Sequence, residues 1–384
     1  MGYTELVTGL TAGGVLPARW VPAFTELPRA GFLPGTLWER PSPGMAWERV
    51  ERSAAPGRWQ ALADSPDPVI IQLDDGEDSG PGQLSSSQSA PRAVAEMLAA
   101  LDLEPGMKVC EAGTGTGWTA ALMEHLTGDG QVTTIEVDPR LALQAKISLH
   151  AAGHHPHVVT GDARAGHPGR APFDRFISTV AVRRIPPAWI AQTPGGVVVT
   201  PFHTPLAGYG LLRLTVAADG RSASGAFVGR VAFMWMRAER PALWPGITGA
   251  PRARAAVIDP ESVAGDIGAQ FAIGLRLPDV AQRWAFDAGE RYETLRVRVW
   301  DEAGSRAVAF CNGPRTVYEA GARSLWREIE DAHAWWTGTG RPVCEDFRLT
   351  VDAEGVHHVW STTEPDRTWT LTDPVTPAPG LSAS

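Results

Sequence analysis

One stretch constrains this chain more than any other: Val109-Cys110-Glu111-Ala112-Gly113-Thr114-Gly115-Thr116-Gly117. Lys108–Ala112 reads as a strand, alternate glycines follow, and Trp118–Leu126 then reads as a helix. A strand that turns on glycines into a helix lets the backbone approach a ligand closely, and the helix start presents free N–H groups to it. The alternation continues downstream. Gln131–Val137 is a β-branched strand, and Pro139–Ala152 is a helix ended by Gly153. Val158–Gly161, Phe173–Val180 and Gly196–Pro201 read as strands, with a helical piece at Pro187–Gln192. Strands alternating with helices imply right-handed crossovers and a mainly parallel sheet, an α/β fold. Leu211–Ala217 and Ala226–Met234 are expected to add antiparallel strands.

At 384 residues the chain exceeds one ordinary domain of roughly 100–200 residues. Residues 1–84, rich in Pro and Gly, read as an N-terminal extension on the substrate side, and 85–240 as the main domain. Residues 241–255 read as a linker and 256–372 as a C-terminal α+β domain suited to peptide recognition. That domain has strand-like runs at Leu295–Trp300, Ala307–Phe310, Phe347–Val351 and Val356–Trp360, and one amphipathic helix at about Gly321–Trp336. The Pro-, Thr- and Ser-rich tail, 373–384, reads as disordered.

The net charge of -9, with no basic run, argues against binding a phosphate backbone, so no nucleic-acid partner is expected. Cys110, Cys311 and Cys344 are too far apart to suggest a disulfide framework or a metal site, which fits a reducing compartment. The N-terminus lacks the basic and apolar regions of a signal peptide. No apolar stretch approaches the roughly 20 residues of a membrane span, so the expected location is cytoplasmic, off the membrane. Fifteen tryptophans against four tyrosines point first to a large aromatic core and second to an aromatic peptide-binding surface.

The ligand of the glycine loop can be narrowed from its surroundings. Glu136 ends the second strand, 23 residues after Gly113, where an acid suits bidentate bonding to ribose hydroxyls. Asp162, after the third strand, stands where an acid can accept from an adenine amino group. The loop lacks the Lys-Ser/Thr ending of a phosphate-binding loop. Glu111, just before the glycines, would repel a pyrophosphate and attract the cationic amino group of S-adenosylmethionine. Together these residues favour S-adenosylmethionine over NAD. The plain structural roles are helix packing for Gly117, a turn for Asp162 and a solvated strand end for Glu136.

Upstream lies Ser85-Ser86-Ser87-Gln88-Ser89-Ala90-Pro91, then Val94, Met97, Leu98 and Leu101 at helical spacing. Ser89 is the expected N-cap, with Pro91 in the first turn.

These residues resemble the protein-L-isoaspartate O-methyltransferase family. The likeness is carried by Ser89-Ala90-Pro91, Met97-Leu98, the glycine loop, Gly161-Asp162, Ala171-Pro172-Phe173-Asp174, Ser178-Thr179-Val180-Ala181, Gln192, Gly195-Gly196 and Thr200-Pro201. Ala23-Phe24, Leu27-Pro28-Arg29 and Phe32-Leu33-Pro34 look like its N-terminal helix and loop. The whole length looks more like a subgroup from actinobacterial peptide maturation, encoded with ATP-grasp ligases (graspetides) or lanthipeptide enzymes. That likeness rests on Ser85–Gln88, Leu325-Trp326-Arg327-Glu328, Trp335-Trp336 and Gly340-Arg341-Pro342.

The resemblance implies a Rossmann-like class I core using S-adenosylmethionine and releasing S-adenosylhomocysteine. Glu111, Gly113, Thr114, Gly115, Gly117, Glu136, Asp162 and Ala163 would hold the cofactor. The implied reaction methylates an Asp carboxylate of a cyclised precursor peptide, and the ester closes to an aspartimide that can hydrolyse to isoaspartate. Repair of isoaspartyl proteins is the alternative. The chain departs from the repair family at Ala163, at Val180 and in its C-terminal domain, which the resemblance treats as absent from ordinary repair enzymes.

A carboxylate is ionised at neutral pH and needs no strong base, only placement and desolvation. Ser89 is the candidate that orients it, with Ser87, Gln88, Thr179 and Val180 around the substrate. A weak binding module and a small-molecule methyltransferase are less favoured readings. His154-His155-Pro156-His157 has no matching second cluster and reads as a loop, not a metal site. His357 and His358 should point to opposite faces of a strand. Trp335 and Trp336 lie about 100° apart on a helix, one for the core and one free for peptide. Arg183-Arg184 reads as a solvated loop or an attractor of acidic peptide.

Overall fold

The computed structural model describes residues 2–42, 45–247, 249–285, 295–311 and 315–371. The N-terminal part holds helices α1 (Tyr3–Ala12) and α2 (Val21–Glu26), strands β1 (Thr36–Glu39) and β2 (Glu48–Glu51), helix α3 (Pro56–Ala63), and strands β3 (Val69–Leu73) and β4 (Leu84–Gln88). The four strands form their own sheet in the order β2-β1-β3-β4, which the Pro- and Gly-rich sequence did not announce. This extension is fastened to the core. Phe24 meets Trp118 edge-to-face at 5.3 Å, and the Trp118 indole donates to the Leu27 carbonyl at 2.8 Å. Both side chains are fully buried, each contributing roughly 1.5–3 kcal/mol of burial.

The central elements follow as α4 (Pro91–Leu101), β5 (Val109–Ala112), α5 (Trp118–Thr127), β6 (Val132–Glu136), α6 (Pro139–Ala151), β7 (His157–Thr160), β8 (Arg175–Ser178), α7 (Pro187–Ala191), β9 (Val197–Pro201), β10 (Leu211–Val216) and β11 (Ala223–Gly229). Strands β9-β8-β5-β6-β7 are parallel, while β10 and β11 return antiparallel, as the alternation predicted. α6 starts where Asp138 accepts the amides of Arg140 and Leu141, with Pro139 in its first turn. α4 buries Val94, Met97, Leu98 and Leu101 and stops at Asp102, whose φ of 51° cannot continue a helix.

Ser89 is not the N-cap of α4; that position is Ala90. Pro91 holds the residue before it extended, so the helix boundary falls one residue later than its capping chemistry suggests.

The remaining elements are β12 (Arg252–Ala255), α8 (Pro260–Ala264), α9 (Ile267–Arg276), β13 (Ala281–Ala285), β14 (Arg296–Trp300), β15 (Arg306–Phe310), β16 (Thr316–Ala320), α10 (Leu325–Gly338), β17 (Phe347–Val351), β18 (His357–Ser361) and β19 (Glu364–Thr370). Strands β12 to β16 make an antiparallel sheet, and β12 uses residues expected to be linker. The last three strands join the central sheet instead: β17 pairs with β11 from Ala223↔Val351 to Ala226↔Arg348. The result is a single ten-stranded sheet, β19-β18-β17-β11-β10-β9-β8-β5-β6-β7. The described residues between 256 and 371 therefore share one apolar core with the parallel strands, in which Phe176 and Trp189 stack at 4.5 Å and Phe227, Phe271 and Phe347 interlock. The sequence boundary does not separate two cores. The tail at 373–384 lies outside the described residues.

Candidate functional site

In the parallel part the chain runs β5, β6, β7 to one side and β8, β9 to the other, so the order reverses between β5 and β8. A crevice at the carboxyl ends of such strands is where open α/β sheets bind ligands. The glycine loop leaves β5 there, and Thr179-Val180 leave β8. Gly113 has φ 95°, and a Cβ on it would lie 2.8 Å from Thr179 Oγ1 and 3.0 Å from Val180 Cγ1, so the two strand ends close only over glycine. The Thr179 hydroxyl donates to the Gly113 carbonyl at 2.5 Å. Gly117 serves packing: its absent Cβ would strike Leu149 at 2.9 Å.

Over this crevice opens a cleft of about 1830 Å³. It brings together Ser87, Gln88, Ser89, Gly113, Thr114, Gly115, Glu136, Asp162, Ala163, Thr179 and Val180 on its walls. It does not include Glu111 or Gly117. Glu111 is fully buried one layer behind the loop, where the Thr134 hydroxyl donates to it at 2.6 Å and contacts the Thr114 hydroxyl at 2.7 Å. Burial pushes its carboxyl up to about 8. Glu111 was expected beside the ligand; it does not line the cleft but is linked to Thr114 of the loop through Thr134, and desolvation favours its neutral form.

Glu136 is held by the loop it faces, accepting the Gly115 amide at 2.9 Å and the Asp138 amide at 3.1 Å. Burial raises its carboxyl above the ordinary value, against the lowering effect of those two amides. Asp162 is more exposed; the Arg164 guanidinium donates to both its oxygens, and this pairing lowers its carboxyl.

The Ser89 hydroxyl makes no hydrogen bond among the described residues and stands at the cleft wall. Its carbonyl is reached by Arg29 at 3.4 Å. Arg29 is wholly buried and spends its donors on the carbonyls of Leu62, Ala63, Ser65 and Asp67. Gln88 is buried, donating to Thr116 Oγ1 at 3.1 Å and to the Arg29 carbonyl at 3.3 Å, while its Oε1 has no partner among the described residues.

Sequence reasoning missed the roof. Arg237 bonds Gln72 at 2.9 Å, Asp138 at 3.1 Å and Asp75 at 3.0 Å, and Arg240 also grips Asp75. These ties join β3, the start of α6 and the segment after β11 across the cleft. Charge spacing carried no sign of them, because the partners are 99 or more positions apart.

The other marked residues take structural places. His154 contacts Glu124 at 3.2 Å, and no metal-holding cluster occurs among the described residues. His357 is buried and His358 pairs with Asp352 at 2.7 Å, on opposite faces as expected. Trp336 is core; Trp335 packs on Trp369 at 5.6 Å. Arg183 pairs with Glu302 at 3.3 Å. No described helix is long and apolar enough to cross a membrane.

The residues present fit S-adenosylmethionine. Glu136 faces the loop, the buried Glu111 Oε1 is without a partner among the described residues, and a Cβ at Gly115 would find nothing nearer than the Ser87 carbonyl at 3.7 Å.

Residues 61–233 match the family model described as protein-L-isoaspartate(D-aspartate) O-methyltransferase. A protein-L-isoaspartate O-methyltransferase of Ignicoccus hospitalis is 36% identical over 201 residues, 51% of this chain and 80% of that protein. One from Anaeromyxobacter dehalogenans is 36% identical, over 52% of this chain and 79% of its own. A solved structure titled protein-L-isoaspartate O-methyltransferase matches in fold with a TM-score of 0.54 at 19% identity, covering 94% of this chain and 99% of that one. That likeness in fold extends over the C-terminal strands as well as the core. The chain belongs to the protein-L-isoaspartate O-methyltransferase family, with the class I fold and S-adenosylmethionine-dependent carboxyl O-methyltransferase chemistry of that family.

Proposed function

We propose that the protein methylates the free α-carboxylate of isoaspartyl residues in polypeptides. The observation that carries this is the free hydroxyl of Ser89 at the wall of the cleft, beside the crevice formed by Gly113, Thr179 and Glu136. When bound, S-adenosylmethionine supplies an electrophilic methyl group. Glu136 would accept from the ribose hydroxyls, Asp162 and Ala163 would border the adenine, and Gly113, Thr114 and Gly115 would line the remainder. Glu111 would act from behind the loop. Ser89 would donate to one oxygen of the substrate carboxylate and leave the other free to attack, while Ser87, Gln88, Thr179 and Val180 hold the neighbouring groups. No base is required, since the carboxylate is already ionised; placement and the exclusion of water do the work.

A second reading is supported by the size of the cleft. Single small-molecule sites occupy roughly 300–1000 Å³, and about 1830 Å³ leaves room for a bulky or cyclised peptide. In that reading the substrate is an Asp of a precursor peptide already closed by an ATP-grasp ligase or a lanthipeptide cyclase. The ester would then lose methanol as the next backbone nitrogen forms an aspartimide.

Incubating the full chain and S-adenosylmethionine with an isoaspartyl peptide and with a cyclised precursor separates the two. Mass gain of one methyl group on the isoaspartyl peptide supports repair-type chemistry. Methylation of the cyclised precursor alone, followed by loss of methanol, supports the second. Transfer to neither overturns both.

A further inference from the structure

Among the described residues, the antiparallel half of the central sheet is covered on one side only. Phe227, Phe347, Leu349, Val351 and Val359 face the buried core. On the other side, α4 reaches as far as β9 and β10. Beyond it the rows Arg213↔Ala226↔Arg348↔Trp360 and Thr215↔Ser224↔Thr350↔His358 stand across four paired strands, exposed or half-buried.

This face has a shape and a charge. Arg213 and Arg348 flank Ala226 on strands two apart, which sets them about 10 Å from each other. Small residues form the floor between them and Trp360 a wall, enclosing a depression of about 350 Å³. The depression shares Arg213 and Val228 with the large cleft, so the two surfaces are continuous. Val228 is 44% exposed.

The arginines are the unmatched charges here. Arg213 donates to the Ala100 carbonyl at 2.9 Å, and Arg348 to the carbonyls of Glu345 and Phe347 at 2.8 and 2.9 Å. Neither meets a carboxylate among the described residues. The nearby acids are engaged: Glu345 with Arg230 at 3.1 Å and Asp352 with His358 at 2.7 Å. Asp366 lies out on the edge strand and is exposed. In a chain of net charge -9, a cationic face running out of the cleft is complementary to acidic side chains.

We propose that this half-covered sheet face is a subsite for the polypeptide substrate, binding a segment with Asp or Glu side chains next to the residue that is methylated. The inference rests on the carboxyl-methyltransferase reading above. Arg213 and Arg348 receive carboxylates, and Trp360 covers the apolar part of the segment.

Two labelled synthetic isoaspartyl peptides test it, one with glutamates on both sides of the isoaspartate and one with glutamines there. Binding to the full chain is read by fluorescence anisotropy and methyl transfer by mass spectrometry. The wild type is expected to bind the glutamate peptide about ten-fold more tightly, with the advantage shrinking as salt is added. Arg348→Glu abolishes that advantage without changing affinity for the glutamine peptide; Arg348→Gln, a milder change should the strand be disturbed, reduces it. Equal wild-type affinities, or a preference that survives both substitutions, overturns the proposal. A preference lost in Arg348→Glu while neither peptide is methylated supports the subsite and counts against isoaspartyl methylation.

Discussion

Nε2 of His357, in β18, accepts the backbone N–H of Ile185 at 2.8 Å, although the two residues are 172 positions apart. The bond ties the C-terminal strands to the segment that continues from Thr179 and Val180. It requires a neutral ring, since the other nitrogen, Nδ1, lies 3.1 Å from the Gly355 carbonyl and must carry the proton. Burial lowers the His357 pKa to about 4. A histidine depressed in the folded state contributes stability above its unfolded value near 6.5, and that contribution disappears as pH falls toward 4. Thermal unfolding should therefore show a loss over that window, and His357→Gln should flatten it. An unchanged acid limb in the variant would place the effect elsewhere; His203, also lowered to about 4, is the next candidate.

Glu111 titrates in the opposite sense. A carboxyl raised to about 8 is protonated when folded and ionised when unfolded, so stability falls as pH rises from about 4.5 through 8. Each unit of difference is worth about 1.4 kcal/mol. Glu111→Gln should raise the melting temperature at pH 8 and converge with wild type near pH 4. Its affinity for S-adenosylmethionine, measured by calorimetry, should drop several-fold if the buried acid acts on the ligand's cationic end.

Gly113→Ala should abolish cofactor binding. The added carbon would sit 2.8 Å from Thr179 Oγ1, on a backbone φ of 95° that alanine avoids. Thr179→Ser keeps the hydroxyl and should bind as wild type. An alanine variant that still binds S-adenosylhomocysteine in calorimetry would mean the strand ends can part.

Ser89→Ala should cost about 100-fold in kcat through lost orientation of the carboxylate. Because Ser89 neither caps α4 nor bonds a neighbour with its hydroxyl, the melting temperature and cofactor affinity should stay the same. A drop in stability equal to that of a lost cap would return Ser89 to a structural role.

The parallel strands were legible because Val109–Gly117 and Gln131–Gly153 carry their own signals: β-branched runs, glycine turns, a proline at a helix start. Glu136 and Asp162 could be placed from strand ends alone. What escaped depends on distant partners. β19, Glu364–Thr370, is polar and looks like a loop; it is a strand because it pairs with β18. α9, Ile267–Arg276, hides its period in a nearly continuous apolar run, since it is buried on several sides. Glu111 was read as a charge near the ligand, but the burial that raises its carboxyl has no signature in the strand's sequence. Ser89 was read as a cap by residue type, and Pro91 moved the boundary.

Among the described residues, the continuous sheet also sets which strand lies at its lateral edge. Were the chain cut after β11, that strand would present an unpaired row of amides and carbonyls to any neighbouring chain. β17 and β18 carry the exposed edge outward to β19, whose Glu364, Pro365, Asp366 and Arg367 combine charge with a missing donor. An edge of that composition resists further strand addition. The C-terminal strands are thus a selvage for the catalytic half, and a core freed of them should be prone to aggregation.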